Sequence, residues 1–149
     1  MGVYDFSQLP TVVDSYVKAL QVGIDAAVIA IATDGLNAIV DATPVDTTLA
    51  VSNWQMQPYT PATGTVGPHV AGSVKGSGAG SARAISKARG RGAIAGYKGP
   101  DKSIYITNNV PYIGVLEHGD SKHRPSGMVS KGLQAMSLRA RSIRIEVKG

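Results

Sequence analysis

Residues 11–42 constrain the fold most. They form one long run with helical periodicity that ends before Pro44, because the residue preceding a proline avoids the helical region. At 100° per residue, Val13, Val17, Leu20, Ile24, Val28, Ile31 and Ile39 fall within an arc of about 100°, so this stripe is predicted to face the core. A second stripe, Val22, Ile29 and Leu36, recurs every seven residues on the opposite side. An ordinary surface helix is polar there. The pattern has two readings: burial on one side in the monomer and on the other against a neighbouring copy, or a central helix wrapped by its own fold. On the first reading the subunit interface comprises Val22, Ile29 and Leu36, with Asp14 and Asp25 as its acidic members.

A chain of 149 residues supports one domain with a real core, here 1–149. Cysteine is absent, which removes disulfides and thiolate chemistry and fits a reducing cytoplasm. No secretory leader is expected, since residues 1–10 lack a basic segment before an apolar run. Residues 19–32, interrupted by Gln21, Gly23 and Asp25, read as too short and polar to span a bilayer. Charge is split along the chain. Residues 1–46 hold six acids and one base, giving −5, and residues 47–149 hold fourteen bases and four acids, giving +10. Such a split suits a polyanionic partner. It equally suits head-to-tail contact between the acidic part of one copy and the basic part of the next.

After the turn at Pro44, where Asp46 and Thr47 are placed to bond local backbone, residues 49–57 read as a strand anchored by Trp54 in the core. Residues 58–80 are rich in Pro, Gly, Thr and Ser and contain no acid, which predicts a long loop that orders on assembly. Residues 81–96 read as a basic helix with a thin apolar face, in need of a partner or docking surface. Gly90 and Gly92 each cost it about 1 kcal/mol relative to alanine. Residues 103–107 read as a strand. A short helix follows, with Pro111 in its first turn, Tyr112, Val115 and Leu116 on one side, and Gly119 at its end. A last helix begins near Gly127 and is predicted to bury Val129, Leu133, Met136 and Ala140. The alternation in residues 142–148 is a strand signal, so 142–149 is expected to be a terminal strand or tail. The resulting class is α+β: a long N-terminal helix on a small, mostly antiparallel sheet, with a C-terminal helix and a long glycine-rich loop.

Little in this chain resembles a reaction centre. Glu117, His118, Asp120 and His123 are the one cluster with metal-ligating side chains, but Gly119 breaks the helix between them, so a polar loop is favoured over a metal site. His69 stands alone. Gly76, Gly78 and Gly80 lack the glycine–lysine–serine/threonine ending of a phosphate loop. No serine sits in a nucleophile-elbow pattern. No catalytic residue, metal or cofactor is assigned, and an enzyme is not expected. The strongest functional patch is Arg83, Lys87, Arg89, Arg91 and Lys98, within a stretch free of acids from Thr47 to Gly99. These cations fit a neighbour's acidic helix or, as the second choice, nucleic-acid phosphates.

Two segments flank that patch. The first is Thr43-Pro44-Val45-Asp46-Thr47 with Leu49, Ser52 and Trp54. The second is Asn108, Pro111, Tyr112, Leu116, Glu117 and Gly119, followed by Ser121, Pro125, Gly127, Met128 and Val129. Their order and spacing resemble the neck, tail-completion or head–tail joining proteins of long-tailed bacteriophages, across about residues 11–140. The chain departs from that pattern at Thr48, where the family usually has glycine, at Ala50 in place of a basic residue, and at His118 in place of an aromatic. The resemblance implies a virion structural protein assembled in the host cytoplasm, forming an oligomeric ring, with a hexamer the expected size, at the top of the tail. Its implied partners are itself, the head-closure or connector protein, and a tail terminator or tail tube protein. Genomic double-stranded DNA in the lumen is a further candidate, and no membrane is expected. Pro44, Asp46, Trp54, Asn108, Pro111, Tyr112, Glu117, Gly119 and Gly127 are its structural motif residues. Two alternatives stay open: a tail terminator capping the tube, and a basic nucleic-acid-binding module.

Overall fold

The computed structural model describes residues 5–71, 74–99 and 101–147. It is an α+β fold in which a long helix, α1 (Leu9–Ala42), packs on a C-terminal helix, α5 (Met128–Ser142), and on a two-stranded sheet. Between them lie a single helical turn, α2 (Leu49–Ser52), strand β1 (Gln55–Pro58), the basic helix α3 (Ala79–Ile94), strand β2 (Ile104–Thr107) and a short helix, α4 (Ile113–His118). The strands are antiparallel, with Gln55 opposite Thr107 and Pro58 opposite Ile104. The segment expected to be a strand from residue 49 is therefore half helix. Ala50, Val51 and Ser52 are all buried, so the strand's one-sided alternation has no meaning there.

The core gathers around the second half of α1. Ala32, Leu36, Ile39 and Val40 meet Val51, Trp54, Met56, Ala82, Ile94 and Met128. Leu36 is wholly buried, so it is a core residue of its own chain and not the interface residue that its stripe suggested. Ile29 packs partly against the same cluster, while Val22 stays exposed. Conversely, Val13 and Val17, predicted to face the core, are exposed. The domain simply does not extend to the first turns of α1. By length and composition alone α1 could cross a bilayer, but its C-terminal half is the central helix of this core.

Close helix packing comes from small residues. A Cβ at Gly132 would collide with the Ile39 side chain, and one at Gly35 with Met136, so α1 and α5 approach closely at this crossing. The buried residues of α5 are accordingly Met128 and Gly132. Val129, Leu133 and Ala140, expected to be buried, are exposed, and Met136 is half-buried. Helix α3 uses the same device, burying Ala82, Ser86, Gly90 and Ile94 at every fourth position. A Cβ at Gly90 would strike Leu36. The glycine that weakens this helix in isolation thus lets it lie against α1, and its docking surface is its own core. On α4, Ile113 and Leu116 pack on the core, whereas Tyr112 and Val115 point outward.

The C-terminal residues 143–147 pair with no strand. Ile145 instead lies against Gly23 of α1, beside the small side chains of Ala26, Ala27 and Ala30. Alternating isoleucines found a smooth helix face rather than a sheet edge. Lys148 and Gly149 fall outside the described residues.

Candidate functional site

The basic patch divides into two parts. Helix α1 ends with carbonyls that no further helical turn can satisfy. Arg83 reaches two of these, donating from Nε to the Val40 oxygen at 3.3 Å and from Nη2 to the Thr43 oxygen at 3.0 Å. Lys87 pairs with Asp41 at 2.6 Å and is about a quarter exposed. A positive group at a helix C-terminus also complements the helix dipole. Arg83 and Lys87 therefore cap α1 and are not free to meet a partner. Arg89, Arg91 and Lys98 are exposed. The acidic residues divide similarly. Asp25 accepts the Gly99 amide at 3.1 Å, Asp34 faces Arg139 at 3.8 Å, and Asp14 pairs with Lys18 one turn on. Across the charge split, Asp41 and Asp34 are thus paired with bases of the same chain, Lys87 and Arg139.

The turn after α1 is organised by threonines rather than by Asp46 and Thr47, whose exposed side chains make none of the hydrogen bonds found among the described residues. Thr43, buried, donates to the Ile39 oxygen at 2.7 Å and accepts the Trp54 indole N–H at 2.8 Å. Asp46 contributes its backbone oxygen, which accepts the Gly76 amide at 3.1 Å. Thr48 adopts a left-handed φ of 65°, the conformation for which glycine is suited and which costs a β-branched residue about 1–3 kcal/mol. Its Oγ1 donates to the Val70 oxygen at 2.6 Å, which offsets part of that strain.

That bond belongs to a set that holds the long loop. Asn53, fully buried, grips Val66 on both sides, accepting its amide at 2.7 Å and donating to its oxygen at 2.9 Å. Ser52 accepts the His69 amide at 2.9 Å, and Gln55 donates to Gly64 at 2.7 Å. Asn109 donates to Ala62 and Gly64. The described part of residues 58–80 is tied to the domain within a single chain, contrary to the expectation of a loop awaiting assembly. Buried polar groups must find partners, so a run of Thr48, Ser52 and Asn53 beside a core tryptophan is the signal that sequence reading passed over.

The second motif segment forms a locked corner. Asn108 donates to the Ala50 oxygen at 2.8 Å and accepts the Val110 amide. Pro111 precedes Tyr112, the residue at the N-terminus of α4. Glu117 accepts the Val129 amide at 2.9 Å through Oε2, satisfying a free donor in the first turn of α5, and Gly127 takes a left-handed φ of 62° just before it. Asp120 accepts the amides of Lys122 and His123 and faces the His123 ring at 2.8 Å. The Lys122 amide first, then the His123 ring, hold its carboxyl below the ordinary value. Among the described residues, no group of His, Asp and Glu side chains is placed to hold a metal. The two motif segments face each other across a groove of about 600 Å³, with Pro44, Asp46 and Lys75 on one side and Tyr112, Leu116 and His123 on the other.

His69 sits beside Arg89, whose Nη1 approaches Nε2 at 3.5 Å. Burial, and then that guanidinium, push the His69 pKa below its ordinary 6.5. The unfolded chain therefore takes up this proton at a higher pH than the folded one. The His69 contribution to stability is present above pH 6.5 and is lost as pH falls through the lower, folded value. Urea midpoints measured at about pH 7.5 and about pH 5.5 should fall on acidification, and H69Q should lessen the fall. An unchanged pH dependence in H69Q would remove His69 as the cause.

Compared with known proteins, the chain matches no family model, no curated protein sequence and no solved structure.

Proposed function

We propose that this chain is a structural subunit of a bacteriophage head–tail interface, assembling into an oligomeric ring that completes the tail or neck and joins it to the head connector. What carries the reading is the joining of the two motif segments. They are far apart in sequence, yet they meet through the Asn108–Ala50 bond and share one groove. The two segments behind the resemblance thus adjoin in the fold, and the work of their residues is structural: ending helices, turning the chain and capping the next helix. The ring reading is further supported by the exposed apolar first half of α1, a surface that a subunit in an assembly would cover.

Arg89, Arg91 and Lys98 are the cations left to face a neighbouring protein or DNA in the lumen. Reversing these three to glutamate should block particle assembly with little change in the melting temperature of the isolated chain. Arg83 and Lys87 must be left intact, since reversing them would strip the cap from α1. In a phage carrying a nonsense mutation in this gene, electron microscopy should show DNA-filled heads beside separate tails. Tails of abnormal length would mean a tail terminator instead, and ordinary infectious virions would refute a place at the neck.

A further inference from the structure

Arg89 is a cation without a counterion. It is exposed, and among the described residues no carboxylate pairs with it. Its hydrogen-bonding neighbour there is the His69 ring, with Nη1 3.5 Å from Nε2, at the outer limit of a hydrogen bond. A guanidinium carries five donors and accepts nothing, so most of its donors are unspent. Beside the pair opens a small pocket of about 80 Å³, walled by His69 and Arg89 with Trp54, Gln57, Gly90 and Ala93 among its other residues. No acid stands in that wall, and the sequence holds none from Thr47 to Gly99. Gln57 is half-buried, and its side-chain amide makes none of the hydrogen bonds found among the described residues. Both cationic positions are fixed by the fold. The His69 amide donates to the Oγ of fully buried Ser52 at 2.9 Å. One residue past Arg89, Gly90 packs on Leu36 of α1, which anchors that turn of α3 in the core.

We propose that Arg89 and His69 form a binding site for one doubly charged oxyanion, a phosphate group. The site goes beyond the head–tail reading and does not depend on it. The forked guanidinium presents parallel N–H groups to two oxygens of such an anion. His69 supplies the second positive charge. Beside Arg89 alone, Nε2 is an acceptor, because the guanidinium only donates, and the ring is neutral with its proton on Nδ1. An oxyanion seated between the two accepts from Arg89 and favours a proton on Nε2, so that both groups donate to it. Two positive charges then match a dianion, whereas a single carboxylate would leave one of them unbalanced. Few other charges bear on His69. Arg89 is the charged neighbour that shifts its titration, and α2, β1 and the rest of the pocket wall bring no further titratable group. On α3, Arg83 and Lys87 are engaged with the end of α1. In the free protein burial and Arg89 lower the proton affinity of His69. A bound anion raises it, so anion and proton bind together.

The chain has three histidines, so their ring protons can be followed singly by NMR. A pH titration is run in sodium sulfate and in sodium chloride of equal ionic strength. Sulfate stays doubly charged throughout, so any proton taken up belongs to the protein. His69 should titrate about one pH unit higher in sulfate, with His118 and His123 as references for general screening. Linkage then requires sulfate to bind about tenfold more tightly to the protonated site than to the neutral one, which calorimetry at low and high pH reads. R89Q, at an exposed position, should abolish the shift, and inorganic phosphate should compete with sulfate. Equal titration of His69 in both salts would overturn the proposal. So would a shift shared by all three histidines, or one retained in R89Q. An equal shift in sodium acetate would overturn the dianion in favour of a carboxylate. Short duplex DNA identifies the source of the phosphate. A shift with terminally phosphorylated duplex alone means a strand end, and a shift with inorganic phosphate but with neither duplex means the free ion. A shift with duplex lacking terminal phosphates would come from the singly charged backbone and overturn the dianion. The expected shift, together with ordinary virions from the nonsense phage, would leave this site standing and remove the head–tail role.

Discussion

Replacing Leu36 with alanine is expected to destabilise the isolated chain by about 2–5 kcal/mol. The side chain is wholly buried at the centre of the core, against the face of α3 where Gly90 has no side chain. Removing it leaves a cavity that neighbours held by packed helices cannot close, so the cost is the lost transfer energy plus the cavity term. Urea unfolding at low protein concentration measures it. Val22, on the same sequence stripe but 68% exposed, serves as the control. V22A should change the midpoint by no more than about 0.5 kcal/mol. If L36A left the dilute monomer unchanged and weakened only association, the core described above would be wrong.

Replacing Gly119 with alanine should cost about 2–4 kcal/mol. Its φ of 73° and ψ of 177° lie in a region that is essentially glycine's alone. A Cβ there would stand 2.6 Å from the His123 oxygen and 2.7 Å from the Pro125 nitrogen. Both are backbone atoms that cannot step aside. Relief requires moving the 119–125 loop, which would pull on the Ser126–Leu116 and Glu117–Val129 hydrogen bonds that start α5. Hydrogen exchange at the first amides of α5 should therefore accelerate along with the drop in melting temperature. A loss under about 1 kcal/mol would show that the corner relaxes freely.

Punctuation was the legible part of this chain. Pro44, Gly119 and Gly127 mark element ends where the sequence predicts them, and β2 and the start of α5 follow from local residue types. Site residues were harder to read. Arg83 and Lys87 look identical to Arg89 and Arg91 in a list of basic residues. Only the arrival of α3 beside the end of α1 turns the first two into a cap and leaves the others free. The same holds for Val13 and Leu36. Each belongs to a regular apolar stripe, yet the one predicted to be buried is exposed and the one offered to a neighbour is at the centre of the core.

The sequence by itself determined the end of α1, the end of α4 and the start of α5, because proline and glycine act through backbone torsions of a residue or two. It also determined the α+β class. Only the tertiary structure decided which face of α1 is buried, that the strand after Pro44 begins as a helical turn, and that residues 143–147 lie on a helix instead of in the sheet. It alone decided that the long loop is held in place. Those outcomes rest on partners at least 13 residues away, as in Asn53 with Val66, Arg83 with Val40 and Ile145 with Gly23. Burial and hydrogen bonding at such separations depend on which surfaces meet, and local propensity carries no information about that.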